Sequence, residues 1–405
     1  MALPSGMSAL AVRMARQLPD AVLALLLPRR LGFEPADRYP LPAVPDRPVR
    51  MFIGPANFAG QGWQWAHAAE SNLPGVAAVS MAYATGAAYG FPVDQRVPAS
   101  VYLLSRKWQA RQRQWVTTGF THVIVEAGRS LFGDVYRQSV EQQVRALRSA
   151  GVSVALLTHG SDMRDPAGHL ASHEFSPFAP GEWALTDTLT AETARNHELR
   201  RSVGGSVFVS TPGMLTDVPD GLWLPVVVDP SVWATTDPPL VDGRVPLVVH
   251  APSSTAVKGT HLVEPVLQRL VAEGLIRYER IENVPADSVP ESFRRADIVL
   301  DQFRIGDYGV AACEAMAAGR VVVGNVDETV RAHVRVATGR DLPVVQADPR
   351  TLDAVLRTVL SDPAPFRDIA AAGPGFVADV HDGRASARAL SGFLGVVAGA
   401  DVSDR

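Results

Sequence analysis

The sequence predicts an α/β protein made of two doubly wound, parallel-sheet (Rossmann-like) domains that face each other across a cleft. Three observations predict it. From Arg50 onward, short apolar runs alternate with longer stretches of helical period, the order expected of parallel strands joined by crossover helices. The same order restarts near position 245, after "LPVVVDPSVWATTDPPLVDGR" (224–244), an aperiodic, proline-bearing segment that marks a domain junction. Finally, 405 residues, 47% of them hydrophobic, are too many for one ordinary domain and enough for two cores.

In the first half the strands are expected at MFIG (51), VAAVSMA (76), HVIVEA (122), VSVALLT (152) and SVFVS (206), with helices over 63–72, 105–118, 137–150 and 188–203. In the second half the strands are VPLVVHA (245), LIRYERI (275), ADIVLDQ (296), GRVVVGN (319) and LPVVQA (342), and the helices are 259–273, 287–295, 309–318, 350–361 and 383–398. Residues 8–27 read as an amphipathic helix covering the first domain, with a membrane-surface anchor as the alternative, and 34–49 as a proline-rich linker. The expected organisation is 1–49, helix and linker; 50–225, first domain; 226–382, second domain; and 383–405, a terminal helix that packs back on the first.

A formal net charge of −4 argues against a protein that grips nucleic acid by its phosphates. The basic cluster Arg106, Lys107, Arg111 and Arg113 reads as a solvated helix face, with an acidic partner or a membrane surface as the alternative. Cys313 is the only cysteine, which rules out an intrachain disulfide and suits a cytoplasmic location. No apolar run approaches the roughly 18 residues of a membrane span.

Ligands of open parallel sheets bind beyond the carboxyl ends of the strands, so the stretches after the strands carry the candidate chemistry. After the first strand, Gly54, Gly60 and Gly62 suit close ligand approach or plain connectivity, with Trp63 and Trp65 as an aromatic wall or as core. "HGSDMRDP" offers His159 and Asp162, facing the cleft or serving as a satisfied histidine and a capping aspartate. His169 and His173 have the spacing of a helical metal pair, yet the loop 160–185 holds three prolines and no convincing third ligand, so no metal is expected. "PSSTAVKGTH" offers the hydroxyls of Ser253 and Ser254, the cation Lys258 and the permissive Gly259. A lysine beside a helix start is disfavoured by the dipole unless an anion lies between them.

The stretch after ADIVLDQ brings Asp301, Gly306, Asp307, Tyr308 and Gly309 to the start of a helix of small residues bearing one carboxylate, Glu314. From Gly309 to Glu314 is roughly 7.5 Å along the axis, a span that suits a nucleotide with its diphosphate on the helix start and its ribose on the glutamate. Cys313 belongs with the packing residues, a reactive thiol being the alternative.

These segments resemble the retaining, nucleotide-sugar-dependent glycosyltransferases of the GT-B fold, near family 4 (group 1). The resemblance is carried by "HAPSSTAVKGTHLVEPVL", by "FVSTPGMLTDVPDGLWLPVVVDP" and above all by the G-x-Y-G-x-x-x-x-E-A-M-A-x-G block from Gly306 to Gly319. It implies that Lys258, Ser253 and Ser254 serve the donor diphosphate. Gly306, Tyr308, Gly309 and Val310 would form its loop, with the Gly309 and Val310 main chain holding its oxygens, and Glu314 would take the ribose hydroxyls. His159 would contact the donor sugar, with Asp162 beside it. No cofactor or metal is implied. The partners are a nucleoside diphosphate sugar and a hydroxyl-bearing acceptor, an envelope glycan, lipid or secondary metabolite, reached in the cytoplasm or at the inner membrane surface.

Two positions depart from the pattern. A second glutamate is usual eight residues before Glu314, where this chain has Gly306, and an arginine is usual five before Lys258, where it has Ser253. Asp307 or backbone groups are expected to substitute. The alternatives are a catalytically silent sugar-nucleotide binder or partner subunit, a GT-B sugar nucleotide epimerase, and a two-domain solute receptor.

Overall fold

Seven strands form the first sheet: β1 (Val49–Gly54), β2 (Val76–Ala84), β3 (Gln95–Pro98), β4 (His122–Glu126), β5 (Ser153–Thr158), β6 (Val207–Val209) and β7 (Leu222–Trp223), in the order β3-β2-β1-β4-β5-β6-β7. The computed structural model describes residues 14–15, 17–26, 38–84, 90–282 and 284–397. Parts of the expected N-terminal helix (8–13, 16 and 27) and of the linker (34–37) lie outside them. Central strand β1 pairs in parallel with both β2 and β4, and Met51, Phe52 and Ile53 are fully buried, which is why this strand reads as a continuous apolar run.

The chain divides into two compact units. One holds 1–162, 195–208 and 387–405; the other holds 163–194 and 209–386. In the first, Leu23 of the helix Asp20–Leu26 is buried and Asp20 accepts the Ser105 hydroxyl at 2.6 Å. The helix Arg106–Gly119 buries Trp108, Gln109, Gln112 and Val116 and exposes Arg106, Lys107 and Arg113, the solvated basic face expected from its sequence.

The second unit carries β8 (Leu247–His250), β9 (Arg277–Arg280), β10 (Ile298–Leu300), β11 (Val321–Gly324) and β12 (Val345–Gln346), in the order β12-β11-β10-β8-β9 with every pairing parallel. Val248, Leu300, Val321 and Val323 pack with Val263 and Leu267 of the helix Thr260–Ala272 and with Leu352 and Leu356 of the helix Leu352–Ser361. The helix Val310–Ala317 lies against the helix Ala364–Val380, and Gly373 makes that approach possible: a Cβ there would stand 2.6 Å from the Met316 carbonyl oxygen.

Among the described residues, elements beyond the sequence reading include β3 and the helices Ala99–Leu104, Pro166–Ser172, Glu328–Thr338 and Ala364–Val380. The segment expected to be loop at 166–172 is helical because Pro166 is its first residue, where a missing N–H costs nothing, and Asp165 caps it through the Ala167 and Gly168 amides.

Candidate functional site

In the second unit the strand order turns back between β8 and β10, and the loops beyond their carboxyl ends define the crevice where ligands of such sheets bind. The β8 loop carries Lys258 and the β10 loop carries Asp301 to Gly309. Lys258 and Asp301 are both buried, and the ammonium donates to Asp301 Oδ1. Asp301 Oδ2 accepts the Gly309 amide at 3.1 Å. A Cβ on Gly309 would lie 3.7 Å from Lys258 Nζ, so the cation stands directly over the start of the helix Val310–Ala317. Asp301 thus links the ammonium to the start of the helix Val310–Ala317, a different helix from the one the sequence places next to the lysine.

Lys258 does lie beside a helix start, as the sequence suggests. It ends the short helix Thr255–Lys258, and Gly259, left-handed at φ 75°, starts the next. The amides of Val310 and Ala311, in the unbonded first turn of their helix, have no hydrogen-bond partner among the described residues. The Glu314 carboxyl, about one turn further on, keeps one edge open to solvent and makes no hydrogen bond to the described residues. Burial pushes its carboxyl up to about 8; the Lys258 charge opposes this and the Asp301 charge adds to it. Cation, helix start and glutamate thus share one neighbourhood.

Of the remaining expected residues, Ser253 is exposed and Ser254 half-buried, and neither hydroxyl bonds to a described residue. The Tyr308 side chain is buried, and its hydroxyl sits 3.3 Å from His381 Nε2. Asp307 does not stand in for the missing glutamate either. It is buried, accepting the Gly213 amide at 2.9 Å and the Tyr308 amide at 3.0 Å, with Arg164 Nη2 at 3.6 Å. Burial raises its pKa, Arg164 opposing. Gly306 is left-handed at φ 74°, with the Asp327 carboxylate against it. Cys313 is fully buried, and burial lifts its thiol well above the ordinary range, which leaves it a packing residue. Two arginines are taken by other partners: Arg164, from the loop after β5, faces Asp307, and Arg304, in the β10 loop, binds the Phe175 and Ser176 carbonyls and Glu182.

In the first unit the strand order turns back between β1 and β4, and Glu126 ends β4 there. It is fully buried; Oε2 accepts the Ala56 and Asn57 amides at 2.8 and 3.0 Å, and Oε1 meets His159 Nε2 at 3.0 Å. Phe58 and Trp65 flank the His159 ring. Asp162 Oδ1 accepts the His159 and Gly160 amides at 2.9 and 2.8 Å, the turn-capping alternative named above. Trp65 is wholly buried, hence core, while half-buried Trp63 stacks on His67. Nothing in the sequence links Glu126 to His159, because the two lie 33 positions apart on different strands' ends.

His169 and His173 stack face to face at 3.9 Å rather than converging on an ion. Among the described residues no cluster of three or more His, Cys, Asp or Glu side chains could hold a metal, and no helix is long and apolar enough to cross a membrane.

The two parallel sheets with interleaved helices are the α/β fold of GT-B glycosyltransferases. No protein-family model and no curated protein sequence matches the chain. Among solved structures it is similar to sucrose-phosphate synthase from Thermosynechococcus elongatus, with a TM-score of 0.58 at 12% identity over 85% of this chain and 98% of that one. It is similar too to Anabaena HepE in complex with UDP and glucose, with a TM-score of 0.56 at 13% identity over 86% and 99% of the two chains. WaaG, a glycosyltransferase involved in lipopolysaccharide biosynthesis, gives 0.50 at 14% identity over 85% and 100%. At such identities the likeness is one of fold.

Proposed function

We propose that the chain is a glycosyltransferase that moves a sugar from a nucleoside diphosphate sugar to a hydroxyl acceptor on an envelope glycan, lipid or secondary metabolite, with retention of anomeric configuration. The observation that carries this reading is the buried Lys258 ammonium held over the amide-bearing start of the helix Val310–Ala317, with Glu314 further along the same helix. Fixed cation and oriented N–H groups stabilise a departing diphosphate without reorganisation during the reaction. Lys258 has three donors and Asp301 takes one, so Asp301 holds the ammonium in place and leaves N–H groups for phosphate oxygens. Glu314, whose carboxyl titrates near 8, can both donate to and accept from ribose hydroxyls at neutral pH. The bond from the anomeric carbon to the diphosphate oxygen breaks, a bond to the acceptor oxygen forms on the same face, and the acceptor's proton passes to the departing diphosphate. The part of His159 toward the donor sugar is carried by the resemblance alone.

A second reading, a sugar-nucleotide binder without catalysis, is favoured by one observation: Lys258 is already neutralised by Asp301, and Ser253 adds no further cation. Release of nucleoside diphosphate from sugar nucleotides, measured with and without glycan, lipid and small-molecule acceptors, separates the two. Acceptor-dependent release that Glu314→Ala abolishes supports transfer. Tight donor binding with no release under any pairing would sink transfer and favour the silent binder.

A further inference from the structure

We infer that Asp327, positioned by His173, is the carboxylate that reads the hydroxyls of the donor sugar, in place of a side chain at position 306; this rests on the donor-site reading above. The first observation is steric. A Cβ on Gly306 would lie 2.2 Å from Asp327 Oδ2, 2.5 Å from its Cγ and 2.6 Å from Oδ1, so the carboxylate fills the volume where a residue-306 side chain would begin. Backbone pairing fixes this: Gly306 bridges Val326, and the Asp327 amide donates to the Gly306 carbonyl at 2.9 Å. Gly306 is three residues before Gly309, at most about 11 Å from it along the chain. The carboxylate therefore stands on the loop beyond β11, next to the loop whose other end holds the Lys258 and Asp301 pair.

The second observation is a hydrogen bond not made. Asp327 occupies the N-cap of the helix Glu328–Thr338, where an aspartate ordinarily accepts a first-turn amide, yet its side chain makes no capping bond. It turns instead to His173, whose Nε2 lies 2.7 Å from Oδ2, and Oδ1 has no hydrogen-bond partner among the described residues. The pair is not sealed off: the His173 and Asp327 side chains keep 23% and 36% of their surface exposed. His173 is in turn fixed by stacking on His169, which is buried and anchored at 2.8 Å to the Ser176 hydroxyl. A carboxylate with one oxygen tied and one open suits a neutral ligand rich in hydroxyl donors and repels an anion, so the sugar, and not a further phosphate, is its chemical match.

The test is calorimetric titration of the full chain with uridine, guanosine, adenosine and thymidine diphosphates and with their hexose conjugates. Wild type, Asp327→Asn and His173→Gln are compared, with melting temperatures recorded for each. Asp327→Asn is expected to weaken the sugar nucleotide tenfold or more and the free diphosphate less than twofold, and His173→Gln to do the same about threefold. Unchanged sugar-nucleotide affinity in both variants, equal losses for diphosphate and conjugate, or a wild type that binds diphosphate but no conjugate would overturn the assignment and leave the diphosphate site standing. A wild type that binds neither overturns both.

Discussion

Removing the Lys258 ammonium exposes what the buried pair does for the fold. The side chains of Lys258 and Asp301 are 8% and 2% exposed, so Lys258→Met leaves a carboxylate in the interior with the Gly309 amide as its remaining partner. Breaking a buried pair from one side costs about 3–5 kcal/mol, because the orphaned charge keeps its desolvation penalty. For a unit of roughly 150–250 residues each kcal/mol moves the melting temperature by about 2–4 °C, so scanning calorimetry at pH 7.5 should show a fall of about 6–20 °C. Lys258→Met with Asp301→Asn removes both charges and keeps an acceptor for Gly309, and should melt within about 3 °C of wild type. A single variant that melts with wild type, or a double variant as weak as the single, would refute the reasoning.

Three further outcomes follow from the same geometry. Glu314 titrates near 8 when folded against an ordinary 4.5, so wild type loses stability as pH rises across that window while Glu314→Gln does not. Thermal melts from pH 5 to 9 should show the variant gaining on wild type by about 2–4 kcal/mol, short of the full value because one edge is solvated; parallel curves would contradict it. Gly306→Ala should cost about 1–3 kcal/mol by denaturant unfolding, since both its φ of 74° and the Asp327 carboxylate oppose a Cβ, and a neutral result would dismiss that contact. Tyr308→Phe, which loses only the hydroxyl facing His381, should leave nucleotide affinity within about twofold by titration, worth under 0.5 kcal/mol; a tenfold loss would return that side chain to the ligand.

What the sequence made legible was local. Lys258, Gly309 and Glu314 stand out because they lie in a loop or helix start that follows a strand whose apolar run is unmistakable. Their partners do not. Asp301 lies 43 positions from Lys258, Glu126 33 from His159, and Asp327 154 from His173, and no periodicity links such pairs. The missed helix Ala364–Val380 carries Gly373 and Pro374 inside it, which read as a break. Tertiary packing overrides that signal, since Gly373 lets the Met316 backbone come close. Asp307 shows the same limit: an aspartate in a glycine-bearing loop looks like a ligand residue, but the Gly213 amide and Arg164, both distant in sequence, claim it.

Titration of the four nucleoside diphosphates into wild type and Glu314→Ala bears most directly on the donor site. At least one diphosphate should bind wild type in the micromolar range and lose tenfold or more, about 1.4 kcal/mol, in the variant. No binding at millimolar concentration, or affinity indifferent to the loss of Glu314, would contradict a nucleotide site at the start of that helix.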